Sequence, residues 1–326
     1  TLSALIVGAG MMGRWHAAAI RHTGSKLVGV VDPERDAARE LARAAPTFFR
    51  LEEALAVLTP SMVHVCGPRE THAPTAEAAL RAGAHVVCEK PLALDATTTA
   101  ALLKLAAARD LTITPVHQLA FQSFRSRIAR VGPPASLRHE LWSHGGAELD
   151  GSARRELLAD LLCHALSLAV VVFGPGPVRS AAVQSIGLGD DALHVLARVG
   201  DAALQCSLGL SGRPPRNELT LVGPDGTLHA DLFHGFHRIE RGLPGRLGKG
   251  ARPLQAGVGQ LAAASRNLTH RAMRREPAFP GLRQLVAEAH AAARGTGPAP
   301  LAPDHVLAVA TTRDRVLQGL GWSRSS

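Results

Sequence analysis

Apolar and polar positions divide the chain into two parts with different periodicity. Up to residue 118, short aliphatic runs typical of buried parallel strands alternate with segments that repeat at the helical period. Beyond it, several short segments, among them 192–199, alternate residue by residue between apolar and polar, as half-buried strands do. We therefore predict an α/β protein of two domains, with a doubly wound parallel sheet in 1–118 and an α+β domain with a largely antiparallel, open-faced sheet in 119–326.

The same pattern gives bounds for the individual elements. In the first part we expect strands at 2–7, 26–31, 47–49, 61–66, 84–88 and 111–116, with a helix after each of the first five. In the second part we expect short strands between 136 and 232, a Gly/Pro-rich loop at 242–253, and helices at 121–131, 153–173, 254–273, 282–294 and 304–320. Ser152 is the expected N-cap of the helix over 153–173.

Three glycines follow the first predicted strand. Gly8, Gly10 and Gly13 form a G-x-G-x-x-G pattern between that strand and an alanine-rich helical run. In this context the first glycine permits a tight turn, the second lets the backbone approach a pyrophosphate, and the third lets the helix pack closely on the strand. The backbone amides of Met11 and Met12 would face the phosphates. The pattern predicts a dinucleotide site on a Rossmann-type sheet.

An acidic residue closes the second predicted strand. Asp32 lies 19 residues after Gly13, where a carboxylate would accept hydrogen bonds from the adenosine ribose diol of a dinucleotide. Because the carboxylate would repel a 2′-phosphate, the sequence favours NAD as the cofactor. Arg35 is close enough to keep NADP as an alternative.

The stretch Glu89-Lys90-Pro91 ends the fifth predicted strand, at the edge where open α/β sheets place their chemistry. Pro91 fixes one backbone torsion and lacks an N–H, so Lys90 sits on a stiffened corner from which its ammonium can be aimed. An ordinary lysine at a strand end is the alternative interpretation. Pro68 and His72, after the fourth strand, and His117, after the sixth, occupy the same edge and are further candidate cofactor contacts.

A second constellation lies in the predicted helix over 153–173. Asp160 and His164 are four residues apart and therefore share a helix face. Most other positions of this helix are apolar, and a carboxylate and an imidazole are costly to bury there unless they meet each other, solvent or a ligand. A local Asp–His ion pair on an exposed stripe is the alternative interpretation.

Composition and charge limit the classes of partner. The net charge is +9, and residues 119–326 hold nearly all of the excess, with 24 Lys and Arg against 16 Asp and Glu. A basic second domain favours anionic small molecules, such as phosphorylated or nucleotide-linked substrates, although a solvated arginine-rich surface gives the same count. Aromatic residues are scarce and tyrosine is absent, so we expect no nucleic-acid partner.

We also expect a soluble, cytoplasmic protein. The start of the chain runs from a strand-like segment straight into glycines, unlike a signal peptide, and no apolar run approaches the ~20 residues that span a bilayer. Four widely spaced cysteines contain no C-x-x-C pair, so neither a disulfide framework nor a metal site is indicated.

Together these residues resemble the glucose-fructose oxidoreductase, inositol dehydrogenase and rhizopine catabolism (Gfo/Idh/MocA) family of NAD(P)-dependent oxidoreductases. The resemblance rests on 8–13, on 89–91, and on Asp160 with His164, in this order and at these separations. His72 and the stretch 82–86 are also similar to the family.

The resemblance implies an enzyme that transfers hydride between nicotinamide and a secondary alcohol or ketone of a sugar, cyclitol or sugar nucleotide. Carried over to this chain, Lys90, Asp160 and His164 would be catalytic. His164 would accept or donate the proton of the substrate oxygen, Lys90 would polarise that oxygen, and Asp160 would bind substrate or hold the imidazole. The stretch 89–91 would border the nicotinamide, which makes Glu89, Lys90 and Pro91 candidate cofactor contacts as well. A homodimer or homotetramer is also implied.

Some positions depart from the family pattern. Arg154, Arg155, Glu156 and Leu162 stand where the family usually has glycines, and 117–120 replaces an arginine often found after the last strand of the first domain. These departures leave the substrate open. Reduction of an imine on the same scaffold, and a sensor that binds NAD(P) without turnover, remain as alternatives.

Overall fold

The computed structural model describes residues 1–322 except 147, 190, 243, 244 and 277. It contains two compact units, each of which is formed by two segments of the chain. The first unit comprises 1–117 and 282–311, and the second comprises 118–281 and 312–326.

A six-stranded parallel sheet forms the centre of the first unit. Its strands run in the order β3-β2-β1-β4-β5-β6, and every neighbouring pair is parallel. This order reverses direction beside β1, as it does in Rossmann folds, and it confirms the predicted doubly wound sheet. The strands are β1 Ser3–Val7, β2 Lys26–Val31, β3 Thr47–Phe48, β4 Met62–Val65, β5 His85–Cys88 and β6 Ile113–Pro115.

A helix follows each of the first five strands, as the sequence predicts. These crossovers cover the sheet, so its central strands are buried along their length, as β4 shows. The helices are α1 Met11–Ile20, α2 Arg35–Ala42, α3 Leu51–Val57, α4 His72–Arg81 and α5 Ala96–Ala108.

The second unit contains a seven-stranded sheet in the order β13-β12-β11-β7-β10-β9-β8. All neighbouring pairs are antiparallel except β7 with β10, so the prediction of a largely antiparallel sheet is confirmed. Strand β9 alternates strictly between buried and less buried positions. The strands are β7 Ser136–Trp142, β8 Ala182–Leu188, β9 Ala192–Val199, β10 Ala202–Gly209, β11 Arg216–Gly223, β12 Gly226–Asp231 and β13 Phe236–Glu240.

Helix α6, Gly151–Phe173, packs against β9 and β10 of this sheet. It is long and apolar enough to cross a membrane, contrary to the expectation that no such run exists, yet 61% of its most apolar stretch is buried inside the protein. That burial is typical of the core helix of a soluble domain. Asp150, and not Ser152, caps it, because its side chain accepts a hydrogen bond from the amide of Ala153 at 2.8 Å.

Other elements differ from the sequence-based bounds. Residues 123–131 form 3-10 turns where a helix was expected. Helix α7, Pro175–Arg179, precedes β8, and helix α8, Gly245–Arg274, includes Pro253 where a loop was predicted. The loop prediction was wrong because the glycines and the proline of this segment were taken as helix breakers.

The last two helices are α9 Leu282–Ala293 and α10 Pro303–Gly319, close to the expected bounds. Residues 282–311 belong to the first compact unit, although they follow the second in sequence. The compact units are therefore not contiguous segments. The assignment of 1–118 and 119–326 to a cofactor-binding and a substrate-binding role stays a prediction.

Candidate functional site at the carboxyl edge of the first sheet

The glycine turn between β1 and α1 places bare backbone beside open space. Gly8 has a φ of +103°, and a Cβ on it would lie 2.6 Å from the carbonyl carbon of Cys66. A Cβ on Gly13 would lie 2.0 Å from the carbonyl oxygen of Gly8, so the helix packs on the turn only with glycine there. A Cβ on Gly10, by contrast, would meet no atom within 4 Å. Packing within the protein therefore requires glycine at positions 8 and 13, whereas Gly10 faces open space.

The same turn begins α1 with unsatisfied backbone donors. Gly10 is the N-cap, and no side chain caps this end of the helix. Amides of the first helical turn, including those of Met11 and Met12, have no partner within the helix and carry the positive end of its dipole. Together with the open space at Gly10, these donors fit the pyrophosphate of a dinucleotide.

Asp32 follows β2 and turns its carboxylate back to the glycine turn. One oxygen, Oδ2, accepts a hydrogen bond from the amide of Ala9 at 2.5 Å, and Oδ1 accepts one from the amide of Glu34 at 2.8 Å. Each carboxylate oxygen retains a second lone pair that can accept from a ribose hydroxyl. Arg35 is exposed at the start of α2. Asp32 therefore lies beside the turn, and the role of both residues in cofactor binding stays a prediction.

His72 joins two other turns of this edge. Its Nδ1 lies 2.7 Å from the carbonyl oxygen of Pro91, and its Nε2 lies 3.0 Å from that of Gly67. The side chain is buried, and Pro68 begins the short 3-10 turn that leads to it. Because both ring nitrogens face backbone carbonyls, His72 holds the turns at 67–68 and 90–91 together, a role that sequence reasoning did not assign to it.

The Glu89-Lys90-Pro91 stretch leaves β5 with its glutamate turned inward. The Glu89 side chain is 10% exposed, and its Oε1 lies 3.1 Å from Nε2 of His16 on α1. The backbone amide of Lys90 donates to Oε2 of the same carboxylate at 3.4 Å. Lys90 itself is half-buried, and the bond that joins it to Pro91 is cis. Sequence reasoning missed His16, although a histidine in an alanine-rich helix three residues after Gly13 was a visible signal.

His117 stands at the end of β6 as a buried, neutral imidazole. It is 3% exposed, and its ring centre lies 6.2 Å from that of His305 on α10. Burial, followed by the charges of His305 and Lys90, lowers the pKa of His117 to about 3. Within the described residues its Nδ1 has no hydrogen-bond partner. A buried nitrogen without a partner is costly, and its place near Lys90 suits a polar group of a bound ligand.

Asp160 and His164 lie in the middle of α6 in the second unit. His164 is 7% exposed and Asp160 is partly exposed, so the helix face that they share is buried at His164 and more open one turn earlier, at Asp160. Cys163, next to His164, directs its sulfur toward the carbonyl oxygen of Ala159 at 3.9 Å, which argues against a cysteine–histidine dyad. All four cysteines of the chain carry free thiols.

Comparison with known proteins matches residues 2–117 to the model of an oxidoreductase family with an NAD-binding Rossmann fold, Gfo/Idh/MocA. UDP-N-acetylglucosamine 3-dehydrogenase of Acidithiobacillus ferrooxidans is 32% identical over 260 residues, which cover 74% of this chain and 78% of the relative. An inositol 2-dehydrogenase of Corynebacterium glutamicum is 34% identical over 105 residues, 31% of each chain.

A solved structure extends the similarity of fold to nearly the whole chain. The WlbA dehydrogenase of Bordetella pertussis, solved with NADH and UDP-GlcNAcA, superposes with a TM-score of 0.75 over 98% of this chain and 96% of its own, at 17% identity. That identity supports the fold alone. The glycine turn, the sheet order and the long match to the sugar-nucleotide dehydrogenase together establish that this chain belongs to the Gfo/Idh/MocA family of NAD-dependent oxidoreductases.

Proposed function

We propose that this oxidoreductase interconverts a secondary alcohol and a ketone on the sugar ring of a sugar nucleotide. The observation that carries the proposal is the 260-residue match to a UDP-N-acetylglucosamine 3-dehydrogenase. A match of that length extends beyond the first 117 residues into the part of the chain that we assign to the substrate. The inositol 2-dehydrogenase of Corynebacterium glutamicum, by contrast, matches over only 105 residues.

Charge supports a phosphate-bearing substrate. The second part of the chain holds 24 Lys and Arg against 16 Asp and Glu, whereas residues 1–118 hold 12 against 11. A positive domain raises the local concentration of a nucleoside diphosphate and speeds its encounter with the protein. A neutral cyclitol would gain nothing from this field.

Three side chains supply the acid and base chemistry in this proposal. His164 takes the proton from the substrate hydroxyl during oxidation and returns it during reduction. The ammonium of Lys90 stabilises the negative charge that grows on the same oxygen, and Asp160 orients the imidazole or binds a neighbouring hydroxyl. When bound, the dinucleotide supplies the hydride acceptor. Proton transfer by a positioned side chain typically contributes about 10²- to 10⁴-fold in rate.

We propose NAD in preference to NADP because of Asp32. Its carboxylate faces the glycine turn, and a 2′-phosphate placed at the same ribose would meet this negative charge. Arg35, three residues further on, is exposed, and its positive charge would favour the 2′-phosphate of NADP. The remaining cofactor contacts that we propose are those at the carboxyl edge of the sheet, namely Gly8, Gly10, Met11, Met12, Gly13, Pro68, His72, Glu89, Lys90, Pro91 and His117.

Two further expectations concern the whole protein. We propose a cytoplasmic enzyme, which the four free thiols support. We also propose a homodimer or homotetramer, formed through the open face of the second sheet. Light scattering of the purified protein would show a monomer if the second proposal is wrong.

The proposed reaction is tested by a substrate panel. Purified protein is mixed with NAD and, separately, with UDP-N-acetylglucosamine, free N-acetylglucosamine and myo-inositol, while the absorbance of reduced nicotinamide is followed. We expect turnover with the sugar nucleotide and much weaker turnover with the free sugar. Turnover of myo-inositol alone would contradict the sugar-nucleotide assignment. Cyclic imines with NADH provide the control for reduction of a C=N bond.

A further inference from the structure

Three buried histidines form a continuous hydrogen-bonded chain through the first unit. His16 lies on α1, His64 on β4 and His290 on α9, and each is 0% exposed. Nδ1 of His16 lies 2.9 Å from Nδ1 of His64, and Nε2 of His64 lies 2.9 Å from Nε2 of His290. One end continues from Nε2 of His16 to Oε1 of Glu89 at 3.1 Å, and the other from Nδ1 of His290 to Oγ of Ser25 at 2.8 Å. Every ring nitrogen of the three residues is used.

The outer end of this chain reaches the surface. Ser25 is partly exposed, and the exposed Arg294 places Nη1 3.4 Å from its hydroxyl. The hydroxyl of Thr23 also lies 3.1 Å from Nδ1 of His290, but it donates its proton to the carbonyl oxygen of Ile20 at 2.7 Å. Ser25 is therefore the hydroxyl that can donate to His290.

Hydrogen-bond roles along the chain are mutually consistent. With Glu89 ionised, its carboxylate only accepts, so Nε2 of His16 carries a proton and Nδ1 accepts one. His64 then donates from Nδ1 and accepts at Nε2, His290 donates from Nε2 and accepts at Nδ1, and Ser25 donates. All donors point from the surface toward Glu89. In each hydrogen-bonded pair of atoms, one atom donates and the other accepts.

Burial and neighbouring groups keep two of the imidazoles, those of His64 and His290, neutral. Burial, followed by the electrostatic effect of the neighbouring His16 and His290 imidazoles, lowers the pKa of His64 well below its usual value. Burial, followed by Arg294 and His16, lowers the pKa of His290 to about 4. Because His64 and His290 resist protonation, a proton crosses them by exchange of tautomers and no charge is stored on either ring.

We propose that Ser25, His290, His64 and His16 form a proton relay that connects Glu89 with solvent. A proton that enters from water through Ser25 binds Nδ1 of His290, and the proton on Nε2 of His290 passes to Nε2 of His64. The proton on Nδ1 of His64 passes to Nδ1 of His16, and that on Nε2 of His16 passes to Glu89. One proton is gained by the carboxylate and one is lost by solvent, and no bond between heavy atoms changes.

The reverse transfer restores the starting state. After inward passage each imidazole carries its proton on the opposite nitrogen, so all donors point from Glu89 toward the surface. Release of the Glu89 proton to Nε2 of His16 then returns one proton to water and resets every tautomer. No ring has to rotate in either direction.

The relay has a purpose at the site proposed above, and in that respect it rests on the proposed function. Glu89 lies at the carboxyl edge of the sheet, where the residue as a whole is 7% exposed. A bound dinucleotide would close this access to water. The relay keeps the carboxylate in protonic contact with solvent from the opposite side. Other titratable groups near Glu89 are Lys90 and the thiols of Cys66 and Cys88, and burial, followed by the charge of Glu89, raises the pKa of both thiols well above the usual value.

Nuclear magnetic resonance of ¹⁵N-labelled histidine tests the chain in the full protein without cofactor. We expect neutral imidazoles with the proton on Nε2 of His16, Nδ1 of His64 and Nε2 of His290, or all three reversed when Glu89 is protonated. Spectra of His16→Gln, His64→Gln and His290→Gln assign the signals. A mixed pattern, in which two neighbouring rings both donate or both accept, would overturn the relay.

Proton transfer itself is measured on the infrared carboxyl band of Glu89, identified by its loss in Glu89→Gln. A rapid pH jump across the midpoint of this band is applied with and without saturating NADH. Glutamine at 64 keeps a donor and an acceptor but cannot exchange protons between them. With NADH bound, we expect His64→Gln and His290→Gln to slow equilibration of the band by about tenfold or more relative to the wild type.

A histidine of the same unit provides the matched control. His85 on β5 bonds to Thr112 outside the chain of rings, and His85→Gln should equilibrate at the wild-type rate. Equal rates in the wild type and in both relay variants, with NADH bound, would show a structural role only. If NADH fails to bind, the proposed cofactor site fails, and the tautomer pattern of the cofactor-free protein still decides for or against the relay.

Discussion

His16 and Glu89 are 73 positions apart in the chain, yet the imidazole Nε2 of one lies 3.1 Å from the carboxylate Oε1 of the other inside the first unit. The contact joins the helix that begins at the glycine turn to the strand end that carries Lys90. The backbone amide of Lys90 in turn donates to the second carboxylate oxygen of Glu89. Glu89 is therefore held from two sides, and this stiffens the corner from which Lys90 extends.

Two glycine variants separate cofactor binding from folding. Gly10→Ser introduces a favoured N-cap residue where a Cβ meets no protein atom, so the protein should unfold at or slightly above the wild-type midpoint. Its side chain would fill the space that we assign to the pyrophosphate, and the affinity for NADH should fall by about tenfold or more. Fluorescence titration with NADH measures this loss.

Gly13→Ala is the comparison for that experiment. A Cβ there would lie 2.0 Å from the carbonyl oxygen of Gly8, so the helix must shift and the protein should lose about 2 kcal/mol or more of unfolding free energy. Wild-type NADH affinity in Gly10→Ser would place the dinucleotide elsewhere.

Asp32→Asn tests the choice of cofactor. The amide oxygen can still accept from the amide of Ala9, but the negative charge is gone. The ratio of kcat/KM for NAD to that for NADP should fall by about tenfold, equivalent to about 1.4 kcal/mol. Arg35→Ala should leave the NAD reaction unchanged and weaken NADP binding. An unaltered ratio in Asp32→Asn would argue against the assigned role of this carboxylate.

Stability should decrease in acid because of buried neutral histidines. His139 on β7 is 0% exposed, its Nε2 lies 2.9 Å from Oδ1 of Asn217, and burial lowers its pKa to about 4 although this hydrogen bond opposes the shift. The unfolded chain binds a proton near pH 6.5, whereas the folded chain does so only near pH 4. The folded state therefore loses stability as pH falls through this window, by up to about 3 kcal/mol for this one residue.

The contribution of His139 is isolated by replacing it. His139→Gln keeps a donor to Asn217 and removes the titration, so its denaturant midpoint should fall less than that of the wild type between pH 6.5 and pH 4. Parallel pH profiles for the two proteins would show that His139 takes up its proton at the same pH in the folded and the unfolded chain, which contradicts the lowered pKa. Because His117 and His290 are present in both the wild type and His139→Gln, their contributions to the pH dependence of stability cancel when the two proteins are compared at the same pH.

The sequence predicted those features that depend on local patterns. Strands at 26–31 and 192–199 have the predicted bounds, since each is a short run with one clear period. Strand Phe236–Glu240 was missed because all five of its residues are half-buried, so it has no alternation to detect. Pro253 was taken as a helix breaker, yet it lies inside α8.

The site shows the same division between local and distant signals. Gly8, Gly13 and Asp32 act within one turn and its neighbouring strand, and their spacing alone revealed them. The histidine chain could not be predicted, because its links join residues 48 and 226 positions apart. No periodicity encodes a contact of that kind, which appears only when the sheet and α9 are assembled.

A double-variant cycle on the reaction tests the central claim that Lys90 and His164 act on one substrate oxygen. kcat/KM is measured for Lys90→Met, His164→Ala and the double variant, with Lys104→Met and His270→Ala, both at exposed positions, as controls. All variants should retain NADH binding. We expect each single variant to lose about 10²-fold or more and the double variant to be no slower than the slower single, because groups that act as a unit are not additive. Wild-type turnover in either single variant, or losses that multiply in the double variant, would contradict the account.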